Sequence, residues 1–62
     1  MYVVVKDKEG NELPPIRISL SSVDDYVTFT SDYWWQLLFR SDIEGALTGD
    51  RNNYDLENAE FF

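Results

Sequence analysis

The chain opens on a short β-branched run, Tyr2 to Lys6, followed by a polar segment, Asp7-Lys8-Glu9-Gly10-Asn11-Glu12, in which Gly10 is free to take a positive φ. Pro14 and Pro15 lack backbone donors and so mark a strand start or edge. Beyond them Ile16, Ile18 and Leu20 alternate with Arg17 and Ser19. Period-two alternation turns one side of a strand toward a core, so the pattern predicts an N-terminal hairpin of Tyr2 to Lys6 with Ile16 to Leu20.

Ser21-Ser22-Val23-Asp24-Asp25 has turn chemistry and reads as a loop, although Ser22 followed by Asp25 is a weak capping pattern for a single helical turn. Tyr26 to Thr30 alternates again, with Val27 and Phe29 on one side, which predicts a third strand. Ser31 and Asp32 are good N-cap residues ahead of Tyr33 to Arg40. At about 100° per residue, Trp34, Trp35, Leu37, Leu38 and Phe39 share an arc of roughly 200°, with Gln36 and Arg40 opposite. A helix is expected there; a strand stays open, because Tyr33, Trp35, Leu37 and Phe39 also alternate. Ser41-Asp42-Ile43-Glu44 fits a capping box, so the helix is expected to restart or kink at Asp42 and run to Leu47, with Gly49 as its C′ residue. Residues 51–62 form a C-terminal strand, a short helix or an arm.

These elements add up to an α+β fold: a small antiparallel sheet of three to four strands, with an N-terminal hairpin, and one helical segment packed on it. Residues 1–62 make a single compact acidic domain. A domain of this length buries only about 60% of its unfolded surface, and small natural domains compensate with disulfides, metals or association. With no Cys and no His, disulfides and the usual zinc ligands are ruled out. Dense aromatic packing or a partner remains, and an aromatic fraction of 16% exceeds what one small core readily hides.

Charge narrows the partner. The bases and acids of Met1 to Arg17 cancel, so the net charge of −7 belongs to the rest of the chain, where nine acids face only Arg40 and Arg51. Such a surface repels phosphate backbones and anionic lipid and attracts basic clefts. Direct nucleic-acid or membrane binding is therefore not expected. No apolar run approaches the ~20 residues of a membrane span, and Met1 leads into Tyr2-Val3-Val4-Val5 without a signal-peptide pattern. The expected location is the cytoplasm, that of a host cell if the chain is phage-encoded.

Catalysis is not expected. Without His or Cys, a Ser-His or Cys-His pair cannot be built. A carboxylate pair acting as acid and base would need a cleft that so small a core cannot supply. Asp50 to Asp55 begins like a calcium loop, but Tyr54, Asp55 and Phe61 stand where a ligand, the turn glycine and the closing glutamate belong. Asp7 to Asn11 fails in the same way, with Glu12 at the glycine position and Ile18 at the close. No cofactor or metal is expected.

What remains is binding. Asp55 and Glu57, two apart on an extended tail, would stand about 6.6–6.8 Å from each other, close to two steps of the roughly 3.4 Å charge repeat along a DNA strand. Asp42 and Glu44 could join them from the helical end, with Glu60 extending the set. Trp34 and Phe62 are candidate aromatic anchors. The partner-binding residues expected are therefore Asp42, Glu44, Asp55, Glu57, Glu60, Trp34 and Phe62. The function expected is that of a small acidic inhibitor or adaptor, a nucleic-acid mimic that blocks a DNA- or RNA-binding protein such as a nuclease, restriction, CRISPR or DNA-repair enzyme. Size and charge are shared with phage and mobile-element proteins of that kind; no motif is. The alternative is an assembly subunit, a homodimer or viral structural component, burying its surplus aromatics.

Overall fold

Strand β1 (Tyr2–Asp7) forms the middle of the structure, a computed structural model that describes residues 1–62. Its β-branched valines suit a pleated, packed surface, and Val3 and Val5 are sealed from solvent. On one side β1 pairs antiparallel with the two-residue β2 (Ile16–Arg17), Tyr2 opposite Arg17 and Val3 opposite Ile16. On the other it pairs antiparallel with β3 (Tyr54–Phe61), giving a three-stranded sheet in the order β2-β1-β3. The α+β architecture expected from the pattern is the one observed, with three strands rather than four.

The hairpin holds in outline and is shorter than its alternation implies. Ile16 and Ile18 are buried and Arg17 and Ser19 exposed, as a strand to Leu20 requires, but ladder pairing stops at Arg17. Ile18 still donates its amide to the Met1 carbonyl at 2.9 Å. The connecting loop is organised by Asp7. Its carboxylate accepts from the amides of Glu9 and Asn11 and from the Asn11 side chain at 2.8–3.1 Å, while Gly10 takes φ 87°. Those donors, the Asn11 amide foremost, hold the Asp7 carboxyl below its ordinary pKa.

Two expectations for the middle of the chain are corrected. The loop at Ser21 to Asp25 and the third strand at Tyr26 to Thr30 are instead one helix, α1 (Val23–Thr30). Ser22 accepts from the Asp25 amide at 3.1 Å, and Asp24 and Asp25 complement the positive end of the helix dipole. The capping pattern therefore prevails over the alternation. Ser31 ends the helix, its hydroxyl bonding the Thr28 carbonyl at 2.7 Å and accepting from the Tyr33 amide at 3.1 Å.

Trp34–Phe39 is helical, as the wide apolar arc implies, but coiled as a 3₁₀ helix, with Leu37 and Leu38 buried and Gln36 exposed. The expected restart at Asp42 does not occur. Residues 41–45 form turns through Gly45 at φ 76°, and Leu47 returns to the core by donating to the Leu38 carbonyl at 2.6 Å. Gly49, at φ 85°, consequently caps no helix. A short 3₁₀ turn (Arg51–Asn53), capped by Asp50, leads into β3, which resolves the three readings of the tail as a strand. The core lies between the inner sheet face, Val3, Val5, Ile16 and Leu56, and the covering Leu37, Leu38 and Leu47. Helix α1 packs chiefly on the first 3₁₀ helix. No helix is long and apolar enough to cross a membrane.

Candidate protein interface

Because Val3 and Val5 point into the core, Val4 and Lys6 lie on the opposite face of β1. They line a depression of about 340 Å³ with Glu12, Asp55, Asn58 and Glu60. Three carboxylates thus gather round a single lysine on the sheet face turned away from the core. Asp55 stands opposite Lys6 and Glu60 opposite Val4, and the strand between them bulges because β3 carries more residues than β1 over that stretch. The bulge removes the even two-residue spacing on which a phosphate-like ladder depends. Asp55 is half-buried and held by the Asn58 amide at 3.0 and 3.2 Å. Glu57 lies with Lys8, Arg51 and Asn52 in a separate, smaller depression of about 150 Å³.

Asp42 and Glu44 do not join this group. Asp42 is bound by Arg40 through two contacts at 2.6 and 3.0 Å, and that hydrogen bonding lowers the Asp42 pKa and raises that of Arg40. Glu44 sits with Tyr2, Pro14, Pro15 and Arg17, on the β2 side of the sheet. The capping-box helix that was to carry both toward the tail is absent, which is why the set divides. Nowhere do three or more carboxylates converge closely enough to hold a metal ion.

Of the aromatic candidates, Trp34 is half-buried and meets Phe61 edge-on at 4.9 Å, in a cluster completed by Phe29 at 5.8 Å from Phe61. It is part of the fold. Trp35 is half-buried too, with the Arg51 guanidinium 4.2 Å from its ring centroid. Phe62 is 67% exposed and stacks on Tyr2 at 6.2 Å, while the two residues exchange backbone hydrogen bonds of 2.6 and 2.9 Å. The outer sheet face therefore carries an accessible aromatic pair beside Val4 and Glu60.

One surface lies outside the residues singled out from the sequence. On α1, Val23, Tyr26 and Val27 are exposed while Asp25 is buried. Spacing of i, i+3 and i+4 behind a Ser22 cap was the available signal, hidden by reading the same residues as a strand.

Both ion pairs of the protein use Arg40, with Asp25 and Asp42. The remaining acids keep their charge uncompensated at contact range, so the excess of twelve acids over five bases is expressed at the surface. Comparison with protein-family models, with curated protein sequences and with solved structures finds no match for this chain.

Proposed function

We propose that the chain is a non-catalytic, acidic binding module that occupies a basic surface of a nucleic-acid-binding protein and so competes with nucleic acid. The observation that carries this reading is the grouping of Glu12, Asp55 and Glu60 round the single base Lys6 on the outer sheet face, next to the exposed Tyr2–Phe62 pair. Carboxylates steer a basic partner toward the face, and the aromatic pair supplies area that slows its departure. The bulge in β3 excludes a regular charge ladder, so competition rests on overall field rather than on phosphate spacing.

The test is capture of purified basic nucleic-acid-binding proteins at low and moderate ionic strength, with duplex DNA as competitor. Binding that salt and DNA both displace, and that Asp55→Asn/Glu57→Gln/Glu60→Gln weakens about tenfold or more, supports the reading. Binding indifferent to DNA, or unchanged by the triple substitution, overturns it.

A second reading, an assembly subunit, is favoured by the exposure of Tyr2, Tyr26, Tyr33, Phe61 and Phe62, each more than 40% accessible. Light scattering over a dilution series separates the two: a mass that falls on dilution supports assembly, and a constant monomer mass removes it.

A further inference from the structure

Helix α1 is amphipathic in the wrong sense for its place in the fold. At about 100° per residue, Val23, Tyr26, Val27 and Thr30 share one side of the helix, and all four are exposed, the two valines by 77% and 60%. The opposite side carries Asp25, Thr28 and Phe29 and is the one turned inward. Thr30 turns its hydroxyl back onto the Tyr26 and Val27 carbonyls at 2.9 and 3.3 Å, which leaves its methyl group free to extend the apolar stripe. The inward side is fixed by two contacts, Asp25 with Arg40 and Phe29 with Phe61. The helix is therefore anchored with its apolar side out.

Such a stripe has the i, i+3, i+4, i+7 form by which helices dock on apolar partners. Its surroundings state the charge of that partner. Asp24 within α1 and Asp32 just beyond it are exposed, and α1 contains no base. The nearby Arg40 is already shared between Asp25 and Asp42. A second copy of the chain would set Asp24 and Asp32 against their own kind and bring two bodies of charge −7 together. An apolar surface flanked by lysine or arginine satisfies both features at once.

We propose that the outer side of α1, Val23, Tyr26, Val27 and Thr30 flanked by Asp24 and Asp32, is a docking surface for a basic amphipathic helix of a partner protein. The contact spans the whole of α1, about 12 Å at 1.5 Å per residue, and the valines pack between the partner's apolar side chains while the aspartates face its bases. This surface is distinct from the acids of the outer sheet face. It holds whether or not the partner also binds nucleic acid.

The test titrates the isotope-labelled full chain with a synthetic leucine–lysine helical peptide of about 15 residues, followed by amide NMR shifts. Shifts centred on residues 23–30, with binding weakened about tenfold or more by Val23→Gln/Val27→Gln, support the proposal. Glutamine is at least as good a helix former as valine, so circular dichroism of that variant should match the parent. A leucine–glutamate peptide with the same apolar side should not bind. Should the variant lose its helix, Asp24→Asn/Asp32→Asn supplies the second reading, with a reduced salt dependence expected. The proposal is overturned by shifts centred on Asp55 and Glu60, by equal binding of the glutamate peptide, by affinity indifferent to both variants, or by sedimentation showing a dimer of the parent that Val23→Gln/Val27→Gln dissociates.

Discussion

Val23 and Asp25 stand two positions apart on α1, and the charged residue is the buried one: Asp25 is 8% accessible and Val23 77%. Arg40 makes this arrangement stable by binding the Asp25 carboxylate from the chain beyond the first 3₁₀ helix. A buried carboxylate with a guanidinium partner is tolerated, whereas one left alone is not.

That dependence is directional. Asp25→Asn is expected to lower the urea midpoint, and Arg40→Gln to lower it further, since the second change strands Asp25 and releases Asp42 as well. The double variant should be no worse than Arg40→Gln alone. Additive losses in urea titrations would show that Arg40 acts elsewhere.

Helix α1 itself depends on one hydroxyl. Ser22→Ala removes the cap on the Asp25 amide and should cost about 1 kcal/mol. In so short a helix the loss should appear as faster hydrogen exchange across Asp25 to Val27, while β1 and β3 stay protected. Exchange unchanged in that segment would mean that packing alone maintains it.

The contrast between α1 and β1 explains what could be read in the sequence and what could not. Val3 and Val5 of β1 and the Ile16/Ile18 alternation face the core, so the hairpin was legible in outline, whereas its register and the two-residue extent of its ladder were not. The arc from Trp34 to Phe39 was legible because its apolar residues likewise turn inward, though not its tighter 3₁₀ coil. In α1 the apolar residues do not face the core, so periodicity taken as a burial signal pointed to the wrong element; only the Ser22–Asp25 cap carried the right information. The acids divide likewise. Asp55 and Glu60 come together because β3 pairs with β1, which the tail's composition allowed, whereas Asp42 and Glu44 were placed by a helix that Gly45 and the turns around it replace.

The core has little to spare. Leu38 is fully buried between the sheet and the loop that returns Leu47, and Leu38→Ala should cost about 2–5 kcal/mol. A chain of this length has a total stability on the order of 3–9 kcal/mol. The variant is therefore expected to lose a large share of its stability and to melt at a markedly lower temperature by far-UV circular dichroism, whereas Val23→Ala, on the exposed side of α1, should leave the melting curve nearly unchanged.

Acid should loosen the β1–β2 loop before it unfolds the sheet. The folded pKa of Asp7 lies below its ordinary 3.8 because the ionised carboxylate accepts from Asn11 and Glu9. Its stabilising contribution is thus complete above the unfolded pKa and is lost as pH falls through the lower folded value. Asp42, lowered by Arg40, has the same sign. Stability should decline as pH drops below about 4, and Asp7→Asn should flatten part of that slope. A slope unaltered in Asp7→Asn would place the acid sensitivity elsewhere.

β3 is an edge strand, and an unpaired edge is a template for another chain unless something spoils it. Here the bulge between Asp55 and Glu60 and the charges of Asp55, Glu57 and Glu60 oppose such pairing, since like charges set opposite one another destabilise a ladder. Two of these acids, Asp55 and Glu60, belong to the group proposed to attract a basic partner, and they therefore also keep the protein from pairing with itself. Asp55→Asn/Glu57→Gln/Glu60→Gln is expected to fold normally at low concentration and to self-associate as concentration rises, and its difference from the parent should be greatest at low salt, where the parent's extra repulsion is least screened. Sedimentation velocity across a concentration series checks this. A triple variant that stays monomeric as firmly as the parent would mean that the bulge alone protects the edge, leaving partner attraction as the one role argued for these carboxylates.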